Sequence, residues 1–233
     1  MKTLKEKHKS VEIKDIKKLK PVNNYVICKK IGNNLNSTTP AGIYKASEYF
    51  NRDQWLTQNV ERVLEIVAVP DELDDSFGYW KTTMDAKPGD KAIVSFHDSL
   101  NCSVVISGGH EYRILRYFSI ITLIRNKKLI PVNGYMLFTQ VPVKYKTTLA
   151  VPDFMKKKLD LRYGVIEHLA PPNEYYTKED KQDLDKGIDV KKGDKVVFIS
   201  PLDLYAPKLE SEIHSTLGKK YRYCQRFRIG GKI

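Results

Sequence analysis

The strongest constraint on the fold of this chain is an internal repeat. The stretch LKPVNNYV at residues 19–26 returns as LIPVNGYM at residues 129–136, and a lysine precedes each copy, Lys18 or Lys128. The spacing exceeds the period of solenoid repeats, which is roughly 20–50 residues. The doubled stretch therefore predicts two tandem copies of one domain.

Three further blocks recur in the same order along the chain. Their offsets drift by about ten residues, as expected when connecting loops gain or lose residues. The block pairs are DAKPGDKAIVSF (85–96) with DVKKGDKVVFIS (189–200), EYRILRYFSII (111–121) with KYRYCQRFRIG (220–230), and the weaker LEIVAVP (64–70) with GVIEHLAPP (164–172).

These four blocks define the expected domain organisation. A chain of 233 residues has room for two domains of roughly 100 residues each. We expect a basic N-terminal extension at 1–17, a first domain at 18–125 and a second at 126–233, joined near Arg125.

The repeated blocks have the composition of β-strands. YVICKKI, LEIVAV, KAIVSF and YRILRYF are short, rich in Val, Ile, Tyr and Phe, and bounded by turn residues. Pro88-Gly89-Asp90 and its counterpart at 192–194 predict tight turns, in which glycine supplies the required φ. With about five strands per copy and no long amphipathic helix, closure is favoured because it removes exposed edges. The sequence predicts a mainly β protein with two tandem small β-barrels and long inserted loops.

The first copy contains two long insertions between its predicted strands. Residues 32–60 run from a Gly, Asn, Ser and Thr stretch into an aromatic one, and residues 70–84 are acidic and aromatic. The second copy has shorter or different counterparts at 142–162 and 171–188. Loops of this length are usually functional, so partner-binding residues are expected there.

Composition narrows the classes of protein. The chain is 41% hydrophobic and 29% charged, which is ordinary for a soluble protein, and no segment approaches the ~20 apolar residues of a membrane helix. The Lys-rich N-terminus has no apolar core or cleavage site, so we expect a cytoplasmic protein. Much of the +12 net charge lies in the first 20 residues, at 156–158 and in the last 15 residues. Lysine dominates it and no nucleic-acid-binding motif accompanies it, which makes nucleic acid an unlikely partner.

No arrangement of residues typical of catalysis is present, and we expect neither an enzyme nor a bound cofactor. His97 and Cys102 share a predicted loop, but one His-x4-Cys pair is poor zinc spacing. Gly108-Gly109 lies in a predicted β-turn and does not form a phosphate-binding loop. The three cysteines lie far apart among apolar or aromatic neighbours, which is typical of structural thiols.

Taken together, the blocks of the first copy resemble the small co-chaperonin family, the GroES-like lids of chaperonin cages. The order is an entrance strand KPVNNYVICKKI, a long loop containing AGIYKA, then LEIVAVP, KPGDKAIVSF and EYRILRYFSIITLI. The resemblance covers residues 18–124, and it extends to residues 128–230 through the internal repeat.

The resemblance implies β-barrels assembled into a ring, in which each subunit docks a mobile loop into a groove on the chaperonin apical domain. Gly42, Ile43 and Tyr44 match the loop motif, and Lys45 stands where the family prefers Leu. Weaker candidates for partner binding are Leu149 and Val151 in the second copy, which lacks the Gly-Ile motif, and Tyr79 and Trp80 in the acidic loop.

We therefore expect a co-chaperonin-like protein that forms a homo-oligomeric ring and acts by binding. The Lys-, Asn- and Tyr-rich composition is compatible with a bacteriophage product, acting in the host cytoplasm. The alternative is a structural ring or adaptor of a phage particle that uses the same fold, with other virion proteins as partners. A nucleic-acid-binding barrel is a third possibility, supported by charge alone.

Overall fold

The structure is a computed structural model, and it divides the chain into two compact units. It describes residues 11–31, 62–74, 80–94, 96–142, 159–172, 174–175, 189–199, 208–209 and 221–233. Unit 1 comprises Met1–Phe77 and Met84–Arg125, and unit 2 comprises Gly78–Thr83 and Asn126–Ile233. The predicted domains differ from these units in the short segment Gly78–Thr83 and at the N-terminus, where unit 1 includes residues 1–17, which were predicted to form a separate extension.

The first half of the chain contains eight described strands and one α-helix. In chain order they are β1 (Val11–Glu12), β2 (Tyr25–Lys30), β3 (Arg62–Ala68), β4 (Trp80–Lys81), β5 (Lys91–Val94), α1 (Phe96–Asn101), β6 (Ser103–Ser107), β7 (His110–Arg116) and β8 (Ile120–Arg125). Short 3-10 helices at Ile16–Lys18 and Tyr117–Ser119 complete this half.

The second half contains eight described strands. They are β9 (Lys128–Pro131), β10 (Tyr135–Pro142), β11 (Leu159–Leu169), β12 (Glu174–Tyr175), β13 (Lys195–Phe198), β14 (Lys208–Leu209), β15 (Tyr221–Gln225) and β16 (Ile229–Lys232). A 3-10 helix at Arg226–Arg228 precedes the last strand.

Each unit contains its own five strands in a sheet, and corresponding strands have the same neighbours in the two units. In unit 1 the order is β7-β2-β3-β5-β8, and in unit 2 it is β15-β10-β11-β13-β16, with every pair antiparallel. Unit 1 extends the sheet with β6 and with β1, which pairs parallel to β6. Unit 2 adds β14 beside β15, and β4 pairs with β12.

The irregularities of the ladders also recur. The β2–β3 register shifts between Ile27 and Cys28, and the β10–β11 register shifts between Leu137 and Phe138. A second shift interrupts β5 after Ile93 and β13 after Val197. Because a bulge bends a strand at a defined place, these shared shifts give both sheets the same bends.

The Gly-Asp turns form in both units as the sequence predicts. Gly89 and Gly193 each have φ of 91°, a conformation that favours glycine. Each glycine N–H donates to the carbonyl of an isoleucine in the neighbouring strand, Ile66 at 2.8 Å or Ile166 at 2.7 Å. Each aspartate accepts a hydrogen bond of 2.8 Å from a backbone N–H three residues earlier, so the turn is fixed from both sides.

Apolar side chains form the cores, and most of them come from the strands. Burying one such side chain contributes on the order of 2 kcal/mol relative to exposure. One cluster of unit 1 comprises Ile16, Ile27, Val105 and Tyr112. The cluster of unit 2 comprises Met136, Phe138, Ile166, Val190, Val196, Phe198, Cys224 and Ile229.

The prediction of a mainly β protein is confirmed, as are the tight turn at Gly108 and Gly109, with φ of 54° and 75°, and the internal repeat of strands. Within the described residues neither sheet closes into a barrel. The treatment of residues 96–101 as loop is wrong, because they form α1. A six-residue helix between two strands leaves little periodicity in the sequence, so strand composition on either side dominated the prediction.

Candidate partner-binding sites

The predicted docking loop of the first copy is held at both ends by neighbouring strands. β2 ends at Lys30 and β3 begins at Arg62, and the two strands pair with Lys30 opposite Leu64. The chain therefore leaves the sheet and returns to it at the same end of two adjacent strands. The motif residues Gly42, Ile43 and Tyr44 lie outside the described residues.

The second copy carries its insertion at the equivalent place. β10 ends at Pro142 and β11 begins at Leu159, and these two residues pair directly. Leu149 and Val151 lie outside the described residues. The two insertions thus occupy one topological position, between the first and second strands of the repeated sheet.

The base of the first insertion contains a group of partly buried charges. The Arg113 Nε and Nη2 atoms lie 3.0 and 2.8 Å from Glu111 Oε1, and the Lys30 Nζ atom lies 3.9 Å from Glu111 Oε2. Arg113 Nη1 also donates to the carbonyl of Ser99 in α1. Since Lys30 is the last residue of β2, this group connects the start of the insertion to the helix.

The acidic loop of the first copy begins with a clamp onto the entrance turn. The Asn24 side-chain amide donates to the Asp74 carbonyl at 2.6 Å and accepts from the Asp74 N–H at 2.6 Å. Asn23 and Asn24 adopt φ of 52° and 64°, which asparagine tolerates better than most residues. Residues 70–74 are therefore fixed against the turn that leads into β2.

An open cleft of about 570 Å³ lies between these two segments of unit 1. We call it the entrance cleft, and its walls are Lys20–Asn23 and Pro70–Asp74. Three carboxylates and one ammonium line it, and the Lys20 Nζ atom lies 2.5 Å from Asp71 Oδ2 with both side chains largely exposed. An exposed pair of this kind contributes little stability. Because three carboxylates stand against one ammonium, the cleft presents an acidic surface.

Trp80 lies in a strand of unit 2 although it comes from the first copy. The two-residue strand β4 pairs antiparallel with β12, with Trp80 opposite Tyr175 and Lys81 opposite Glu174. The segment Gly78–Thr83 belongs to unit 2. Tyr79 lies outside the described residues.

The described thiols are poorly suited to nucleophilic chemistry. Cys28 and Cys224 are buried, and their burial raises the pKa of each thiol far above its ordinary value. Burial also raises the pKa of Cys102, whose Sγ atom donates to the Ser99 carbonyl at 3.0 Å. Each thiol therefore stays protonated near neutral pH.

Across the described part of the chain, no three His, Cys, Asp or Glu side chains come together as a metal site. No helix there has the length and apolar composition that crossing a membrane requires.

Sequence reasoning missed the entrance cleft. Its signal was present in the acidic run after Pro70 and in the repeated entrance stretch, but the two segments lie about fifty residues apart and nothing local indicates that Asn24 joins them. Of the predicted partner-binding residues, Trp80 alone lies within the described ranges.

Neither the known protein-family models nor the curated proteins contain a match to this chain. The resemblance therefore depends on the repeated blocks themselves, and the function follows as a proposal.

Proposed function

We propose that this chain is a co-chaperonin-like ring protein that caps a chaperonin cage by loop binding and assists protein folding. The observation that carries the proposal is the doubled sheet, in which both copies place a long insertion between the first two strands of one five-stranded order. Such a sheet gives a fixed base from which a loop can reach a partner.

Closure of each sheet into a small barrel is part of the proposal. The shared bulges favour it, because bulges add the local bend and twist that a closing sheet needs. The Gly-Asp turns also favour closure. In each unit the turn glycine bonds to an isoleucine of the neighbouring strand, Ile66 of β3 or Ile166 of β11, and so holds the segment that leads into β5 or β13.

In this proposal the first insertion is the docking loop, and Gly42, Ile43 and Tyr44 are its contact residues. Ile43 supplies an apolar side chain for a groove, and Lys45 keeps its ammonium in water while its methylenes follow the apolar surface. A segment that becomes ordered on binding loses affinity to conformational entropy. Several loops in one ring recover that affinity through effective concentration.

The test is to mix the full chain with a GroEL-type chaperonin and nucleotide and to measure comigration in gel filtration. We expect the wild-type chain to comigrate and Ile43→Ser to lose binding by about tenfold or more, because each loop in the ring loses its apolar contact. Val151→Ser in the second copy is the comparison variant and should lose less binding than Ile43→Ser, because its insertion lacks the Gly-Ile motif. A wild-type chain that never comigrates contradicts the proposal.

A second function is favoured by the second insertion, which lacks the Gly-Ile motif. A structural ring or adaptor in a phage particle would keep the sheets while losing loop residues that recognise a chaperonin. Mass spectrometry of purified particles separates the two functions. A stoichiometric amount of the chain in finished particles favours the structural function, because a folding lid should leave before assembly ends.

A further inference from the structure

The residues that lead into the first copy form an arm with two different sides. We call residues 13–20 the N-terminal arm, and its apolar side chains recur at every third position, as Ile13, Ile16 and Leu19. All three take part in one apolar cluster of unit 1, in which Ile16 is 5% exposed. One side of the arm is therefore packed against the sheet of its own unit.

Hydrogen bonds also hold the backbone of the arm beside β6. The strand β1, which comes just before the arm, pairs parallel with β6, and the Ile13 N–H donates to the Ile106 carbonyl at 2.9 Å. The Ile16 N–H donates to the buried Ser107 hydroxyl at 3.2 Å. Because these contacts fix the backbone, they also fix the positions from which the remaining side chains of the arm extend.

The opposite side of the arm is formed by exposed lysines, namely Lys14, Lys17, Lys18 and Lys20. Lys20 pairs with Asp71, whereas no carboxylate of the described residues lies within ion-pairing distance of the other three. Asp15 is the only acidic residue of the arm, and it accepts a hydrogen bond from the Lys17 N–H at 3.1 Å and so caps the 3-10 helix. The arm therefore presents a positively charged surface.

The second copy has only the middle of this row of lysines. Lys127 and Lys128 correspond to the two central lysines of the arm and are also exposed. Ile124 and Ile130 stand where the arm has its two outer lysines. The longer row of charges is thus a property of the first copy, and the second copy supplies a matched pair of lysines for comparison.

The chemistry of the exposed side of the arm fits the phosphate backbone of a nucleic acid. Lysine binds phosphate as a compact point charge, and non-specific binding to nucleic acid needs only a set of such charges. Protein interfaces have an apolar or aromatic centre and few lysines. A membrane-binding segment keeps an apolar face for the lipid, but the apolar face of the arm is packed on the sheet.

We propose that the N-terminal arm binds nucleic acid, contacting the phosphate backbone through Lys14, Lys17 and Lys18 without reading the base sequence. The dominance of lysine and the lack of a binding motif predict the opposite, but neither describes how the lysines are arranged in space. Because apolar anchors already fix the arm, binding does not have to order its backbone. The inference goes beyond the proposed function and does not depend on chaperonin docking.

The test is fluorescence anisotropy of the full chain with a labelled DNA duplex of about 30 base pairs, measured at several salt concentrations. We expect the wild-type chain to bind with an affinity that falls steeply as salt rises, and to bind a duplex of unrelated sequence equally well. The variant Lys14→Gln/Lys17→Gln/Lys18→Gln leaves the apolar anchors in place. The slope of log K against log salt should become shallower by about 2 to 3 in this variant.

The matched comparison uses two double variants of equal net charge. Lys17→Gln/Lys18→Gln removes two lysines of the arm, and Lys127→Gln/Lys128→Gln removes their counterparts in the second copy. The first should reduce the salt slope by about 2 and the second by less than about 1, so the difference reports where the charges lie. Urea unfolding should be nearly unchanged in every variant, because the substituted side chains are exposed.

Three results would overturn the proposal. A wild-type chain that binds no duplex even at low salt removes the interaction altogether. Equal salt slopes in the two double variants would mean that binding follows net charge and not the arm. If the arm variants lose binding to polyglutamate or to phosphatidylserine vesicles while duplex binding is unchanged, the arm serves an acidic protein or a membrane instead. No chaperonin is present in these measurements, so none of the results bears on loop docking.

Discussion

The cores of the two units use different side chains on the same backbone frame. In unit 2, Phe138 follows the bulge of β10 and lies opposite Ile166. The equivalent residue of unit 1 is Cys28, which follows the bulge of β2 and lies opposite Ile66. At two further equivalent positions, unit 1 has Leu64 and Val94 where unit 2 has Gly164 and Phe198.

These three differences compensate one another. A Cβ atom at Gly164 would lie 2.6 Å from Phe138 Cδ2 and 3.0 Å from Phe198 Cε2, so the glycine makes room for two rings whose centroids are 4.5 Å apart. Unit 1 fills the same region with a leucine and two smaller residues. Folding therefore constrains the total volume and the hydrogen-bond ladder more strongly than any one core position.

The largest expected effect is a loss of stability in unit 2 when a single core residue of unit 1 is placed there without its neighbours. Gly164→Leu places a side chain against Phe138 and should destabilise unit 2 by about 3 kcal/mol, since a packed sheet cannot move far enough to admit it. The measurement is urea unfolding combined with hydrogen exchange in β11. Gly231→Ala, at an open position, is the control and should change little.

The matched triple variant sharpens this comparison. Phe138→Cys/Gly164→Leu/Phe198→Val copies the unit 1 residues into unit 2 and should recover a large part of the lost stability, because it restores the volume balance. If the triple variant is no more stable than Gly164→Leu, the two cores are not interchangeable.

A smaller loss of stability is expected when the cation beside each Gly-Asp turn is removed. Arg125 Nε and Nη2 donate to the two Asp90 carboxylate oxygens at 2.8 and 2.6 Å, and Asp90 is 5% exposed at its side chain. Arg125→Ala should lower the free energy of unfolding by about 2 kcal/mol, as expected for a charged hydrogen-bonded pair. Lys232→Ala removes a single exposed contact to Asp194 and should change stability less. Equal losses in the two variants would contradict the comparison.

The clamp on the acidic loop exists only in unit 1 among the described residues, since Gly134 occupies the place of Asn24. Asn24→Gly removes both side-chain hydrogen bonds to Asp74 while glycine accepts the φ of 64°. The loss should be about 1 kcal/mol, and hydrogen exchange should rise in residues 70–74. Unchanged exchange there would show that the clamp does not hold the loop.

The smallest expected effect is a difference between the two turns in how their contribution to stability depends on pH. Burial opposes ionisation of Asp90, but the hydrogen bonds from Arg125 and the Lys87 N–H outweigh it and lower the pKa of the carboxyl. The folded state then binds fewer protons than the unfolded state. The associated stability is present above the unfolded pKa of about 3.9 and is lost as pH falls through the folded value.

The stability difference between wild type and Arg125→Ala should therefore shrink as pH falls below about 4. Lys232 and the Lys191 N–H also lower the pKa of Asp194, but this aspartate is closer to solvent and its variant should show a weaker dependence. Urea unfolding of each variant across the acidic range is the measurement. If the stability difference between wild type and Arg125→Ala does not change with pH, Arg125 acts by packing alone.

Local signals account for the part of the fold that was predicted correctly. Val, Ile and aromatic runs between turn residues located most of the core strands, and the Gly-Asp blocks located turns whose glycines need positive φ. The candidate site was less predictable. The Gly42-Ile43-Tyr44 motif names residues of a loop, but the entrance cleft depends on Asn24 meeting Asp74, a contact between segments that no local pattern specifies.

The sequence by itself determined that this protein repeats one β unit twice, because strand composition, turn glycines and the order of blocks are local and survive changes in the loops. Only the tertiary structure decided which equivalent residues are buried, that Gly164 makes room for two phenylalanine rings, and that residues 78–83 belong to the second unit. Burial and long-range pairing depend on what packs against a segment, and the same strand can be covered in one copy and open in the other.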